Sequence, residues 1–212
     1  QYIGGLCGDD RKGTMYNCSN SGKITSGAMA VITGSYASPN STVRIGGLSG
    51  YCGSHVSQCT NTGDIVVSTV DKAEVGGIAG NYHAGTMTST SNYGKFSFNG
   101  DIIQSCTLGG LVGVAENTEN TINDCTNNAP VVGNTGTWLS RTGGLIGTAG
   151  KININGCTNN GDVTGGTGGL DTSPSYATGY TGFSSNTGGI VGYNHSANLT
   201  GCINSGDISG TT

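Results

Sequence analysis

The chain has 212 residues, of which 41 are Gly and 9% are charged, and its net charge is −4. Eight scattered Lys and Arg exclude a nucleic-acid surface. No apolar run approaches the roughly 20 residues that cross a membrane, and three Pro without a G-X-Y period exclude collagen. Regularly spaced Val, Ile and Leu at such low charge argue against disorder.

Read from the N-terminus, the first element is Gly4-Gly5-Leu6-Cys7-Gly8, followed by Cys18-Ser19-Asn20. The same pair of motifs then recurs. The G-G-[Leu/Ile]-x-G segment returns at Gly46, Gly76, Gly109, Gly143 and Gly188. The [Cys/Thr]-x-Asn segment returns at Cys59, Thr90, Cys125, Cys157 and Cys202, always 13 to 16 residues after the first Gly. Aligned on this second motif, three further columns appear. Met15, Val56, Met87, Ile122, Ile154 and Leu199 stand three residues before it. Asn20, Asn61, Asn92, Asn127, Asn159 and Asn204 form an unbroken column two residues on. Ile24, Ile65, Phe96, Val131, Val163 and Ile208 stand six residues on.

Lys151-Ile152-Asn153-Ile154-Asn155 alternates polar and apolar, the period of a strand. Each coil therefore reads as two or three short strands. One is the G-G-[Leu/Ile]-x-G segment, one leads into the Cys, and one holds the last aliphatic. The [Cys/Thr]-x-Asn segment reads as a turn, and Asn159-Asn160-Gly161-Asp162 carries a positive-φ signal. One such coil cannot bury its apolar side, whereas stacking at about 4.8 Å per rung can. The expected fold is all-β: a parallel β-helix (β-solenoid) of six coils, in one domain over 1–212. Gly/Asn-rich turns join the strands, and variable-length inserts run over 25–45 and 164–187. In register, the Asn column becomes a side-chain amide ladder. The Gly pairs mark either missing room for Cβ or positive φ.

The G-G-[Leu/Ile]-x-G motif followed by Cys-x-Asn-x-Gly-x-[Ile/Val] resembles the GLUG repeat of bacterial surface proteins, adhesins and IgA-peptidase-like proteins. All six coils carry the resemblance. Thr90 replaces Cys in coil 3, and Ala129-Pro130 replaces Gly-Asp in coil 4. The resemblance implies a β-solenoid at a cell surface or secreted, and it implies no catalytic residue.

Eight Cys in such a chain raise disulfides first. Cys18, Cys59, Cys125, Cys157 and Cys202, stacked in parallel, suit buried free thiols better, because a bridge needs Cβ atoms about 3.8 Å apart. Cys7, Cys52 and Cys106 lie off the column and are the candidate bridge formers. Asp64, Asp162 and Asp207 share a turn slot. They read as single turn carboxylates, so no cofactor is expected, with calcium as the alternative. His83 and His195 share an exposed corner. Sequons at Asn17, Asn40, Asn194 and Asn198 are candidate glycosylation sites. Tyr176, Tyr180 and Trp138, on inserts, are the candidate ligand aromatics.

The columns are scaffold, so the expected function is an extracellular structural or adhesive element and not an enzyme. The ends show no capping helix, which points to a segment of a longer surface protein or to end-to-end self-association. A module binding surface glycans or other surface proteins is the alternative. A polysaccharide-degrading enzyme and a Thr-faced ice-binding protein are weaker readings.

Overall fold

The computed structural model describes residues 1–27, 42–116, 120–135, 139–167 and 184–210. Every strand pairing among them is parallel, and each joins one coil to the next. The chain is thus a six-coil parallel β-solenoid. Its columns meet in register: Met15 pairs with Val56, Val56 with Met87, Met87 with Ile122, Ile122 with Ile154, and Ile154 with Leu199.

A coil holds five strands rather than two or three. In coil 1 they are β1 (Tyr2–Gly4), β2 (Cys7–Asp10), β3 (Thr14–Tyr16), β4 (Ser19–Asn20) and β5 (Ile24–Thr25). Each is repeated up the stack in five ladders, and the fifth is broken where Phe96–Gly109 and Val131–Val132 do not pair. Between coils 2 and 3, and between coils 3 and 4, no loop intervenes. There Ile65–Gly76 and Phe96–Gly109 each run from the fifth ladder of one coil into the first ladder of the next.

Two motif assignments change. The G-G-[Leu/Ile]-x-G segment is a corner rather than a strand: β1 ends on Gly4, the chain bends at Gly5 and Leu6, and β2 begins at Cys7. The x-Asn pair of the second motif is itself a strand, and the turn lies one residue before the Cys. There Asn17, Gln58, Ser89, Asp124, Gly156 and Gly201 have φ between 50° and 63°. The left-handed residue recurs in each coil at the corner between the third and fourth ladders. Gly161, in the turn expected to carry positive φ, does not have it.

The glycines answer a shortage of room. A Cβ on Gly50 would lie 2.5 Å from the Ile3 nitrogen, and one on Gly80 2.5 Å from the Ile45 nitrogen. The first and second ladders therefore pack backbone against backbone. That contact divides the interior in two, where the sequence suggested one core. Leu48, Val56, Ile78, Met87, Leu111 and Ile122 belong to one cluster. The aliphatic column after the Asn, from Ile24 through Ile65, Phe96 and Val131 to Val163, belongs to the other, with Val43, Ile45 and Val75.

Candidate functional surfaces

The Asn ladder is continuous. Each Asn Nδ2 donates to Oδ1 of the next: Asn20 to Asn61 at 2.9 Å, Asn61 to Asn92 and Asn92 to Asn127 at 3.0 Å, Asn127 to Asn159 and Asn159 to Asn204 at 2.8 Å. The same nitrogen donates to a carbonyl two residues on, as Asn92 does to Gly94 at 3.1 Å. In coil 3 the Gly94 N–H returns to Asn92 Oδ1 at 3.2 Å. All four hydrogen-bonding positions of an Asn are thereby used. The second Gly of each corner lies against this amide, so a Cβ on Gly47 or Gly144 would meet the Asn61 or Asn159 carboxamide. Gly-Gly and Asn, far apart in each repeat, are two halves of one contact.

The Cys column is equally specific. The left-handed residue before it leaves the Cys N–H without a carbonyl, and the next coil's sulfur accepts it: Cys18 N–H to Cys59 at 3.5 Å and Cys125 N–H to Cys157 at 3.4 Å. The thiol donates to the carbonyl two residues earlier, as Cys125 does to Asn123 at 3.1 Å. Thr90 fits this slot because its hydroxyl does both, donating to Thr88 at 3.0 Å and accepting the Cys59 N–H at 3.4 Å. Cys125 is pushed well up by its hydrogen bond to Cys157 and by burial.

All eight cysteines are free. Cys7, Cys52 and Cys106, the expected bridge formers, are not placed to bridge one another. Cys106 belongs to the second cluster, while Cys7 and Cys52 belong to the first. Cys7 pairs with Ser49, and Cys52 pairs with Asp10. That offset is three residues, about 10 Å along the strand. Burial pushes the Cys52 and Cys106 thiols up to about 12.

The Asp slot caps backbone. Asp64 Oδ1 accepts the Lys95 N–H and Asp162 Oδ1 accepts the Asp207 N–H, each at 2.9 Å. This is a turn role; among the described residues no cluster of three or more His, Cys, Asp or Glu forms. Of the sequons, Asn17 is the exposed left-handed residue. Asn194 is bonded to Ala197 through both amide atoms, and Asn198 Nδ2 donates to Asn153. Asn40, Trp138, Tyr176 and Tyr180 lie outside the described residues.

Aromatic residues the sequence did not single out as a group meet on the lateral face. Tyr2 and Tyr51 lie 5.6 Å apart, and Tyr51 and His83 5.5 Å apart, one per coil. Arg44 pairs with Glu74 at 2.6 Å and sits over the Tyr2 ring. Tyr51 is tilted at 52° to Tyr2 and stacked at 28° on His83, so the cluster reads as side-chain packing across coils. No register position links the three, since Tyr2 pairs with Arg44 and Tyr51 with Asp9 and Asn81, so the repeat spacing carried no signal for them.

At the last described coil the core columns are uncovered, with Leu199 42% and Ile208 45% exposed. In coil 1 the matching Met15 and Ile24 are 8% and 7% exposed, and Leu6 is 46% exposed. Comparison with family models, with curated proteins and with solved structures finds no match to this chain.

Proposed function

We propose that the chain is an extracellular structural or adhesive solenoid of the GLUG-repeat kind. In this reading it is a rigid segment of a longer surface protein or the subunit of an end-to-end filament, without catalysis. One observation carries the proposal. Every repeated column is occupied structurally, with Gly and Asn in the corner contact, Cys or Thr in the N–H relay, and aliphatics in the two clusters. The repeat therefore specifies a stiff body, and chemical variety is left to the lateral surface and inserts.

A further rung on the coil 6 face, from a longer chain or from a second copy, would bury Leu199 and Ile208. Two measurements test the proposal. Antibody against the chain should label intact source cells, and deleting its gene should reduce their adhesion; labelling only after lysis would remove the extracellular reading. Sedimentation should show mass rising with concentration, and a concentration-independent monomer would remove the filament form.

A further inference from the structure

The dipeptide Asn-Gly stands three times in the chain, at Asn99-Gly100, Asn155-Gly156 and Asn160-Gly161. It carries its own chemistry, the one that makes Asn a thermolabile residue. The backbone nitrogen that follows an Asn can attack the side-chain Cγ and close a five-membered ring, and Gly at the second position puts no Cβ in the way. Two freedoms decide whether the reaction runs in a folded chain. The carboxamide must be able to swing onto the nitrogen, and the backbone must be able to leave its extended conformation. The three sites differ in both.

Two of them are held by the repeat. Asn155 ends the strand Asn153–Asn155, which is paired in register on both sides, so that Asn155 faces Asn123 and Thr200. Its Nδ2 donates to Asn123 Oδ1 at 3.0 Å, and the Gly156 N–H donates to the Thr200 carbonyl at 2.9 Å. Asn160 Nδ2 donates to Asn128 Oδ1 at 2.9 Å, and its N–H donates to the Asn127 carbonyl at 2.8 Å. Gly161 is buried, with no room for a Cβ beside the Ala129 carbonyl. Asn99 is different. Both it and Gly100 are exposed, and its carboxamide has no hydrogen-bond partner among the described residues. Ser68 pairs with Asn99 but Val70 with Ile102, so one extra residue lies between, in a bulge with Gly100 at φ 139°. On the coil 4 side, the strand Phe96–Gly109 finds its partner only from Ser105 onward, because the fifth ladder is broken there. Neither neighbouring coil therefore holds Asn99-Gly100 in a regular ladder.

We propose that Asn99-Gly100 is a spontaneous modification site, the one Asn-Gly of this fold that deamidates in the folded chain. The Gly100 nitrogen gives its proton to solvent base and bonds to Asn99 Cγ, the Cγ–Nδ2 bond breaks, and ammonia leaves. Water then opens the succinimide at either carbonyl, giving aspartate or isoaspartate. Isoaspartate routes the main chain through the former side-chain methylene, which lengthens the backbone by one atom beside the bulge. Either product adds a negative charge between coils 3 and 4. The proposal does not depend on the surface location argued above. The test is incubation of the 212-residue chain at pH 8, folded and in urea, followed by peptide mapping that separates Asn, Asp and isoaspartate. In urea the three sites should convert at comparable rates. In the folded chain Asn99 should keep within about threefold of its urea rate. Asn155 and Asn160 should fall about tenfold or more, since each must first break a carboxamide bond and open its ladder. Asn99→Gln should remove the early mass gain of the folded chain. It should also remove the faster amide exchange expected over residues 96–102 of the aged wild type. The proposal is overturned if Asn99 slows on folding as much as the other two, or if Asn155 or Asn160 converts as fast as Asn99 in the folded chain. It is also overturned if folded Asn99→Gln gains mass at an unchanged rate.

Discussion

At the scale of single residues, the Asn column holds the largest concentrated contribution. Asn92 is fully buried and joins Asn61, Asn127 and both backbone groups of Gly94. Asn92→Ala orphans donors and acceptors on three coils in a dry interior. At about 1–3 kcal/mol per orphaned group, the loss should reach about 4 kcal/mol or more. Asn204→Ala, at an exposed rung, should cost about 1 kcal/mol. Urea unfolding midpoints of the two variants measure the contrast; equal losses would mean the ladder is not cooperative along the axis. The column was legible in the sequence because a side chain that pairs with its own copy tolerates no substitution. Its partner, the second Gly of each corner, was legible as a repeat but not as a contact, since the two stand on different ladders.

At the scale of the elements, the corner between the third and fourth ladders combines a left-handed residue with a thiol that relays hydrogen bonds between coils. Cys125→Thr reproduces coil 3 and should cost less than about 1 kcal/mol. Cys125→Val, similar in shape but unable to donate or accept, should cost about 2 kcal/mol. Thermal melts of the pair check this. Thiol exposure also differs by position. Alkylation at pH 8 without denaturant should label the partly exposed Cys7, Cys18 and Cys202 and spare the five buried cysteines. Early labelling of Cys106 would contradict the second cluster as described. For Cys52 and Cys106 the folded pKa of about 12 stands above the ordinary 9.0. Above pH 9 the unfolded chain loses these protons first, so their contribution is full below that pH and falls away towards pH 12. The melting temperature should therefore decline across that window, and less so in a Cys52→Ala, Cys106→Ala double variant compared with its own neutral-pH value.

At the scale of the whole molecule, stability is a sum over neighbouring coils, since each ladder bond and core contact joins one coil to the next. Burial is complete in the middle coils and lapses at coil 6: Ile154 is 0% exposed and Leu199, its register partner, 42%. Hydrogen exchange followed by mass spectrometry should show the coil 6 strands exchanging first and coils 3 to 5 last, with an added step at the broken fifth ladder around residues 96–98. Uniform protection along the stack would mean the coil 6 face is covered in solution.

Period, coil number, rung register and the identity of the stacked columns followed from the sequence alone, because a stack of like on like writes its geometry into the spacing of its residues. Tertiary structure decided what spacing cannot carry. The G-G-[Leu/Ile]-x-G segment is a corner because two strands meet there backbone to backbone, and the same approach splits the core into two. Pro130 and the register slips around Gly100 read as minor departures from a repeat. Only the stacking of coil 4 on coil 3 shows that the fifth ladder is not paired between Phe96–Gly109 and Val131–Val132. A repeated motif reports on the contacts that all coils share; the break in the fifth ladder is a pairing that one pair of coils lacks.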